Sequence, residues 1–290
     1  MLRPISIITA IHNGLPMNRL YWKALSKNTS APFELVIIDN HSTDGSEMFF
    51  RELAQSTGRD TQKVVYVRSE HNQSYPASQL QGMAVASHDI LAFFNNDLWM
   101  PRDWEKPLIR ELEKNPLLIV SPSGQDAQPS QTLSDRLKRR WIVVRRLSKA
   151  WAWLLRKSEE ERLWKSLEWM YGDLENFRSP TPQVQPSMNG IKGDSVVLHR
   201  SVVKALGGIW DQRIQAADWH LYLKAAAHAE KNPEFPLPQI LLDTYTHHFG
   251  RYSIAQDYEP LPPGTSFRSI DEEWGRETVQ RLWWGYHLGS

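Results

Sequence analysis

Asp39, Asp97, Asp218 and His248 have the side-chain types and positions that could carry out chemistry. Asp97 follows the apolar run DILAFF and two asparagines, where a carboxylate is costly unless a cation meets it or it caps the following helix. Carboxylate oxygens suit Mg²⁺, and a neutral imidazole such as that of His248 suits Mn²⁺ better. Asp218 begins a predicted helix, where it could be a general base or an N-cap. Asp39, in DNHSTDG, could bind a ligand or cap the turn.

The composition narrows the class of protein. The chain has 290 residues and a formal net charge of +1, so it lacks the global field that attracts nucleic acid. It has no cysteine, which excludes a disulfide framework and thiolate chemistry. The first apolar run is too short for a signal peptide, and no run approaches the ~20 apolar residues of a membrane span. We therefore expect a cytoplasmic protein without a nucleic-acid partner.

The first 125 residues alternate between β-branched runs and helical patterns. The predicted strands are ISIITAI, FELVIID, KVVYVRS, DILAFFNND and LLIVSPSG. This alternation is typical of a mostly parallel sheet with helices on both faces, in which ligands bind at the carboxyl ends of the strands. Asp39, the Asn95 to Asp97 cluster and the His12-Asn13 turn all follow predicted strands, so we expect them at one edge of the sheet.

The remainder of the chain divides into three parts. Residues 126–186 predict one or two amphipathic helices rich in Arg, Lys and Trp, closed by the Pro-rich segment SPTPQVQP. Residues 187–258 combine the strand SVVLHRS, helical segments and the strand QILLDTYT, which runs into a loop with two histidines. Residues 259–290 predict a C-terminal helical tail. We expect residues 1–125 and 187–258 to be two halves of one domain.

Several motifs in the same order resemble those of family 2 glycosyltransferases with the GT-A fold, in particular a rhamnosyltransferase-like subgroup. The matching segments are AIHN from Ala10, DNHSTDG from Asp39, NNDLWMPRDW from Asn95, GGIWDQRIQAADWHLYLK from Gly207 and HFGRYS from His248. The resemblance covers about Ile5 to Trp104 and Met188 to Ser253, and it leaves the basic insert out. The chain departs from the family pattern at Asn95 and Ala217, where acids are expected, and at His220, where the pattern has Asp.

The resemblance implies an α/β, GT-A type Rossmann-like fold with a helical insert and a helical tail. It also implies metal-dependent, inverting transfer of a sugar from a UDP- or dTDP-sugar to a hydroxyl of a saccharide or lipid-linked acceptor, as in polysaccharide biosynthesis. Asp218 would be the base, while Asp97 and His248 would hold a divalent metal, Mn²⁺ or Mg²⁺. The residues implied for donor binding are Ala10, His12, Asp39, Asn72, Asn96 and Asp97. Residues 1–125 would bind the donor and residues 187–258 the acceptor.

Two rival functions stay open at this point. The missing acids at Asn95 and Ala217 motivate a protein that binds a nucleotide sugar, or acts as a scaffold, without catalysis. A sugar nucleotidyltransferase would have a similar sheet, but the first strand is not followed by a Gly-rich loop bearing Lys or Arg. Release of nucleoside diphosphate or of pyrophosphate would distinguish the three functions.

The insert between Asp135 and Lys157 is strongly basic. Its basic residues, against Asp135 as the one acid, are Arg136, Lys138, Arg139, Arg140, Arg145, Arg146, Lys149, Arg156 and Lys157. One interpretation is peripheral contact with the inner face of a membrane through residues 135–157. A second is a helical hairpin over the acceptor cleft or against a second subunit in a homodimer, and a third is binding of an acidic acceptor. A helical subdomain with solvated charges is the alternative to all three.

Overall fold

The computed structural model describes residues 2–56, 58–59, 62–180, 185–214, 216–250, 252, 261 and 265–288, and of residues 58–59 and 284–288 only the backbone. Residues 181–184 of the Pro-rich segment, Gln215, and Arg251 and Ser253 of HFGRYS lie outside this range. The strands are β1 (Ile5–Ile11), β2 (Phe33–Asp39), β3 (Gly58–Arg59), β4 (Gln62–Arg68), β5 (Ile90–Phe94), β6 (Leu98–Trp99), β7 (Ile119–Ser123), β8 (Ser187–Asn189), β9 (Ser195–His199), β10 (Gln239–Tyr245) and β11 (His247–His248).

The helices are α1 (Leu15–Asn28), α2 (Ser46–Ser56), α3 (Tyr75–Val85), α4 (Glu105–Lys114), α5 (Gln131–Leu154), α6 (Glu159–Tyr171), α7 (Arg200–Ala205), α8 (Ala217–Lys231), α9 (Ile270–Trp274) and α10 (Arg276–Leu288). Within the ranges that the structure describes, no helix is both long enough and apolar enough to cross a membrane.

A mostly parallel sheet organises the molecule, as predicted. Its strand order is β3-β4-β2-β1-β5-β9-β7-β10-β8. Strands β4, β2, β1 and β5 are mutually parallel, and β7 runs parallel to β10. Strand β9 runs antiparallel between β5 and β7. The residues that follow β1, β2 and β5 therefore share one edge of the sheet.

Helices cover both faces of the sheet because its central strands are apolar on both sides. On one face Ile5 and Ile7 of β1 pack in a cluster with Tyr21 of α1, Phe50 of α2 and Trp104. On the other face Ile8 packs with Val202 of α7 and Leu221 of α8. Successive side chains of a strand point to opposite faces, so β1 contributes to both cores. The predicted α/β fold class is confirmed.

The predicted insert contains the helical hairpin α5–α6. Leu137, Trp141 and Val144 on the inner face of α5 form an apolar cluster with Leu20 of α1 and with Phe249, which follows β11. The Trp141 ring lies 4.3 Å from the ring of His247 and 5.5 Å from that of Phe249. The hairpin therefore packs against the polar edge of the sheet rather than projecting away from the domain.

The sequence did not predict a two-stranded antiparallel ribbon, β6 with β11, beside this edge. It pairs Leu98 with His248 and Trp99 with His247. The C-terminal helical tail was predicted and is present: Leu282 of α10 packs on Tyr222 and Leu223 of α8.

A tight contact between α3 and β1 offers a test of this packing. A methyl group at Gly82 would collide with Cγ2 of Ile8. Gly82→Ala should therefore destabilise the protein by about 1–3 kcal/mol in urea unfolding, despite the better helix propensity of alanine. In an Ile8→Ala background, which lacks the opposing methyl group, the same change should be neutral or stabilising. An equal loss in both backgrounds would contradict the packing.

Candidate functional site

A polar cleft of about 1100 Å³ opens at the carboxyl edge of the sheet. Asn95 comes from the end of β5, Asp218 from the first turn of α8 and His248 from β11. The turn before β9 contributes Lys192 to Asp194, and the start of α5 contributes Gln131 and Ser134. Segments far apart in the sequence thus converge on one hollow.

The β6–β11 ribbon brings two predicted metal ligands together. Nε2 of His248 lies 3.2 Å from Oδ1 of Asp97, and the backbone N–H of Phe249 donates to the Asp97 carbonyl at 2.9 Å. Asp97 is 2% exposed, and His248 separates it from the open cleft. The imidazole contact is an ion pair without an aligned hydrogen bond, because Oδ1 of Asp97 has no hydrogen-bond partner among the described residues.

A second carboxylate holds the other side of the His248 ring. Nδ1 of His248 lies 3.1 Å from Oδ2 of Asp194. Burial alone would lower the pKa of His248, but Asp194 and Asp97 together raise it to about 9. Burial would likewise raise the pKa of Asp194, yet the Lys192 ammonium and His248 bring it below its usual value. The imidazole is therefore protonated at neutral pH and links the two acids.

Lys192 completes this charged cluster and is itself buried. Its ammonium contacts Asp194 directly and donates to Oγ of Ser195 at 3.1 Å and Oγ1 of Thr246 at 3.0 Å. Two carboxylates thus face two cations, which is the arrangement that makes burial of such charges tolerable.

Asp218 stands free of this cluster, on the α8 side of the cleft. Its carboxylate lies directly over Gly193, where even one methyl group would collide with Oδ2 of Asp218. Burial raises the pKa of Asp218, backbone N–H groups at the start of α8 partly oppose that effect, and the charge of Asp194 adds to it. A half-buried carboxylate with a raised pKa is a better proton acceptor than one in water.

The loops after β1 and β2 are tied together by polar side chains. The backbone N–H of Asn13 donates to Oγ of Ser42, and Oδ1 of Asn13 accepts from the N–H of Thr43, both at 2.8 Å. Asp44 accepts from the first N–H of α1, at Leu15, and from the first N–H of α2, at Ser46. These bonds lower the pKa of Asp44 against the opposite effect of its burial. Asp44 is thus a turn and capping residue.

Four predicted donor-binding residues, on β1 or in the loops after β1, β4 and β5, do not line the cleft. Nδ2 of Asn96 donates to Oδ1 of Asn18 at 2.7 Å, and Nδ1 of His12 donates to the Asn40 carbonyl at 2.7 Å. Asn72 is buried, and Ala10 pairs with Ile38 of β2. The structure therefore brings Asp218 and His248 to the cleft, leaves Asp97 buried behind His248, and places these four residues outside the cleft lining.

Asp39 also lies outside the cleft lining, and its carboxylate is fully buried. It accepts from the N–H of Ser42 at 2.8 Å and from the hydroxyl of Tyr66 at 2.5 Å, and Nη1 of Arg68 lies 3.4 Å away. Asp39 thus anchors the turn after β2, and Arg68 is the most weakly held of its partners.

Sequence reasoning missed Tyr75, Lys192 and Asp194. The hydroxyl of Tyr75 is buried without a hydrogen-bond partner among the described residues, and the side chain lines the cleft. Burial, with the nearby Asp218 and Asp194 carboxylates, raises the pKa of Tyr75. Lys192 and Asp194 could have been found from the sequence KGD, which directly precedes the apolar run SVVL. Charged residues next to a buried strand need partners of opposite charge.

The residues at the cleft could form a cation site with few protein ligands. Oδ1 of Asp97 is a buried acceptor without an aligned donor, and such an atom needs a cation, a water or a strain explanation. Within the described ranges no three His, Asp or Glu side chains are arranged to hold a metal ion together. A metal ion there would have to replace the Nε2 proton of His248, because a protonated imidazole cannot bind a metal. Asp97 and His248 would then be two protein ligands, and phosphate oxygens and water would supply the others.

Comparison with known sequences gives the family. The sequence profile described as Glycosyl transferase family 2 matches residues 6–173. The match includes most of the basic insert, which the motif resemblance had left out, and it ends before Met188. EpsH from Bacillus subtilis (strain 168), which bears the name of a glycosyltransferase, is 25% identical over 147 residues, covering 48% of this chain and 41% of EpsH. This chain therefore matches less than half of that relative.

Comparison with solved structures gives the fold. The mannosyltransferase PcManGT from Pyrobaculum calidifontis, solved with GDP-Man and Mn²⁺, has a TM-score of 0.55 at 14% identity, covering 100% of this chain and 76% of that one. GalNAc-T7, solved with UDP, GalNAc and Mn²⁺, has a TM-score of 0.52 at 13% identity, covering 85% of this chain and 44% of that one. The sheet and its helices are of the GT-A type.

The buried Lys192–Asp194 pair gives a prediction about stability. Lys192→Met should destabilise the protein by about 3 kcal/mol in urea unfolding, because it leaves the buried Asp194 carboxylate without its ammonium. The double variant Lys192→Met/Asp194→Asn should recover much of that loss. Lys114→Met, which removes an exposed ion pair with Glu111, is the control and should change little. Equal effects of Lys192→Met and Lys114→Met would contradict the role given to the buried pair.

Proposed function

Since this chain belongs to glycosyl transferase family 2, we propose that it moves a sugar from a nucleoside-diphosphate sugar to a hydroxyl of a saccharide or glycolipid acceptor, with inversion. One observation carries the proposal: the cleft is lined by the Asp218 carboxylate on one side and on another by His248, which is ion-paired with the buried Asp97. A base for the incoming hydroxyl and a charged pair for the leaving diphosphate are the two requirements of a direct displacement.

Asp218 is proposed to take the acceptor proton. The hydroxyl becomes acidic only as the new bond forms, so a carboxylate is a sufficient base. Asp218 is half-buried at the start of α8 and forms no ion pair with the residues that the structure describes, which leaves its oxygens available to a hydroxyl in the cleft. Gly193 supports this role because its missing side chain makes room for the carboxylate.

Asp97 and His248 are proposed to hold a divalent cation, Mn²⁺ or Mg²⁺, at the diphosphate. When bound, such an ion supplies Lewis-acid stabilisation of the charge that develops on the leaving group. The relatives solved with a nucleotide or nucleotide sugar and Mn²⁺ support this assignment. Asp194 holds the His248 ring from the side opposite Asp97 and so fixes its orientation.

The loop pair after β1 and β2 is proposed to bind the nucleoside, with Asp39 toward the base and Ala10, His12, Asn72 and Asn96 around it. UDP and GDP-Man in the similar structures support a nucleoside diphosphate donor. A base N–H that reached Asp39 would have to replace one of its present partners. Arg68, at 3.4 Å, is the donor that it would replace most easily.

A second candidate function is binding of the donor without transfer. The observation that favours it is the neutral side chains of Asn95 and Ala217, where the family pattern has acids. It predicts binding of nucleoside diphosphates and no release of nucleoside diphosphate from any donor sugar.

Asp218→Asn tests the proposed base. Release of nucleoside diphosphate from a panel of donor sugars should fall by about 10²–10⁴-fold, while the thermal shift produced by nucleoside diphosphate persists. The melting temperature near pH 7 should rise. The pKa of Asp218 is higher in the folded than in the unfolded state, so the free energy of unfolding falls as the pH rises from the unfolded to the folded pKa. Asn does not ionise, so the variant avoids this loss of stability.

Asp211→Asn is the matched control. Asp211 is outside the cleft, and its hydrogen bond and ion pair with Arg213 lower its pKa. Its charge therefore stabilises the fold above the unfolded pKa, and Asn should lower the melting temperature while leaving turnover intact. Normal turnover by Asp218→Asn would refute the mechanism. No turnover by the wild type with any donor would favour the second candidate function.

Asp97→Asn tests the cation site. The stabilisation of the wild type by nucleoside diphosphate should be larger with Mn²⁺ than without it, because a ligand of the native state stabilises it according to its affinity. In Asp97→Asn the Mn²⁺-dependent part should disappear. Asp126→Asn removes an exposed carboxylate that also lines the cleft, and it should retain that part. Equal losses in both variants would mean that general charge, not coordination by Asp97, attracts the cation.

A further inference from the structure

The outer face of α5 carries most of the large exposed apolar side chains of the described chain. Six of the nine large hydrophobic residues that are exposed lie on α5 or its C-cap: Ile142 (41%), Val143 (54%), Leu147 (55%), Trp153 (83%), Leu154 (71%) and Leu155 (54%). Isolated surface hydrophobics are normal, but a cluster of them marks an interaction surface. Positions 143, 147, 150 and 154 follow helical spacing and so form one stripe.

These exposed residues do not take part in packing α5 against the domain. Leu137, Trp141, Val144 and Ala152 are buried at helical spacing and pack the hairpin onto the domain. The side chain of Trp153 points away from that stripe and is 83% exposed. The packing of the domain therefore accounts for one side of α5 and leaves the other unexplained.

The same outer face is strongly basic. The exposed cations on α5 are Arg136, Lys138, Arg139, Arg140, Arg145, Arg146 and Lys149, and Arg156 and Lys157 follow it. Asp135 is the one acid of this segment. Arg140 is partly used within the fold, because its guanidinium donates to the Trp169 carbonyl at 3.3 Å. Lys157 is also engaged, in an ion pair with Glu161 of α6 at 2.7 Å. The remaining cations outnumber Asp135 on α5 and add net positive charge beside the apolar stripe.

We propose that this outer face of α5 binds an anionic lipid bilayer. A helix whose exposed face mixes Trp and Leu with Arg and Lys lies in the plane of the interface, with its apolar side chains at the boundary of headgroups and acyl chains. The cations then meet lipid phosphates and carboxylates. Trp153, Leu154 and Leu155 form the deepest part of the contact because they are the most exposed apolar group.

A second copy of the chain fits this face less well. In a twofold dimer the same patch meets itself, so the cations of two α5 helices would oppose each other. A surface of negative charge is complementary to the patch, whereas its own copy is not. Charge thus favours an anionic bilayer.

The position of α5 relates the bilayer to the cleft. Gln131 and Ser134 at its N-terminal end line the cleft, and the apolar stripe begins at Val143. A helix of 24 residues is roughly 36 Å long, so the contact lies within one helix length of Asp218's cleft. If the proposed function holds, this arrangement suits an acceptor saccharide attached to a membrane lipid.

Co-sedimentation with vesicles tests the surface, and it does not require a donor or an acceptor. The full chain should bind vesicles that contain about one third anionic lipid, and bind neutral phosphatidylcholine vesicles far more weakly. Arg139→Glu/Arg146→Glu/Lys149→Glu should weaken anionic-vesicle binding at least ~100-fold, since each cation near the surface contributes roughly a factor of five or more. Trp153→Ser/Leu154→Ser should weaken it at least ~10-fold.

The controls place equal changes elsewhere on the surface. Lys63→Glu/Arg102→Glu/Lys231→Glu reverses three exposed cations away from α5, and Met48→Ser/Val85→Ser removes two exposed apolar groups on α2 and α3. Both should bind vesicles like the wild type, and all variants should keep its melting temperature within about 2 °C. No vesicle binding by the wild type would overturn the proposal. A second result would also overturn it: the Trp153→Ser/Leu154→Ser variant binds anionic vesicles as tightly as the wild type, and the wild type binds heparin as tightly as it binds those vesicles. The partner would then be a soluble polyanion.

Discussion

The site depends on one imidazole held between two carboxylates. His248 reaches Asp97 through Nε2 and Asp194 through Nδ1, at 3.2 and 3.1 Å. Asp97 follows β5, Asp194 precedes β9 and His248 belongs to β11, so this contact fixes three chain segments relative to one another. Because β9 runs antiparallel to β5, the start of β9 lies beside the end of β5, and the N–H of Asn95 donates to the Asp194 carbonyl. The reversed strand is what supplies the second carboxylate.

Charge balance explains why the cluster can be buried. Asp97 and Asp194 face His248 and Lys192, and the last of these has Ser195 and Thr246 as further acceptors. Asp218 also lines the cleft but lies outside this balance, and burial raises its pKa. Asp97 and Asp194 are paired with cations, whereas Asp218 is not. Such a difference in environment is expected when neighbouring carboxylates have different chemical roles. The stability lost at Asp218 would be the cost of keeping a base available.

The sequence predicts this site where a local rule applies and not where partners come from distant strands. Strand periodicity places Asp97 at a strand end, and it places His247 and His248 on opposite sides: His248 meets Asp97, while His247 contacts Trp141 and Tyr171. Asn96 looks like a ligand in its motif, yet it bonds Asn18 of α1, a contact that depends on helix packing. Asp194 meets His248 across 54 positions only because β9 is reversed, and no local pattern encodes that direction. The roles of these residues in catalysis stay predictions.

The α5–α6 hairpin shows that one helix can meet two separate demands. Its inner stripe packs Trp141 against His247 and Phe249, so the hairpin helps to hold the ribbon that carries His248. Its N-terminal turn lines the cleft, so the same helix helps to shape the space in which an acceptor would lie. Neither demand involves Trp153, Leu154 or the outward arginines, because these side chains are exposed. The packing of the domain does not account for an outer face that is both apolar and cationic, whereas the proposed contact with a bilayer would. The hairpin is therefore better understood as the part of the domain that relates the cleft to its surroundings than as an appendage to the sheet.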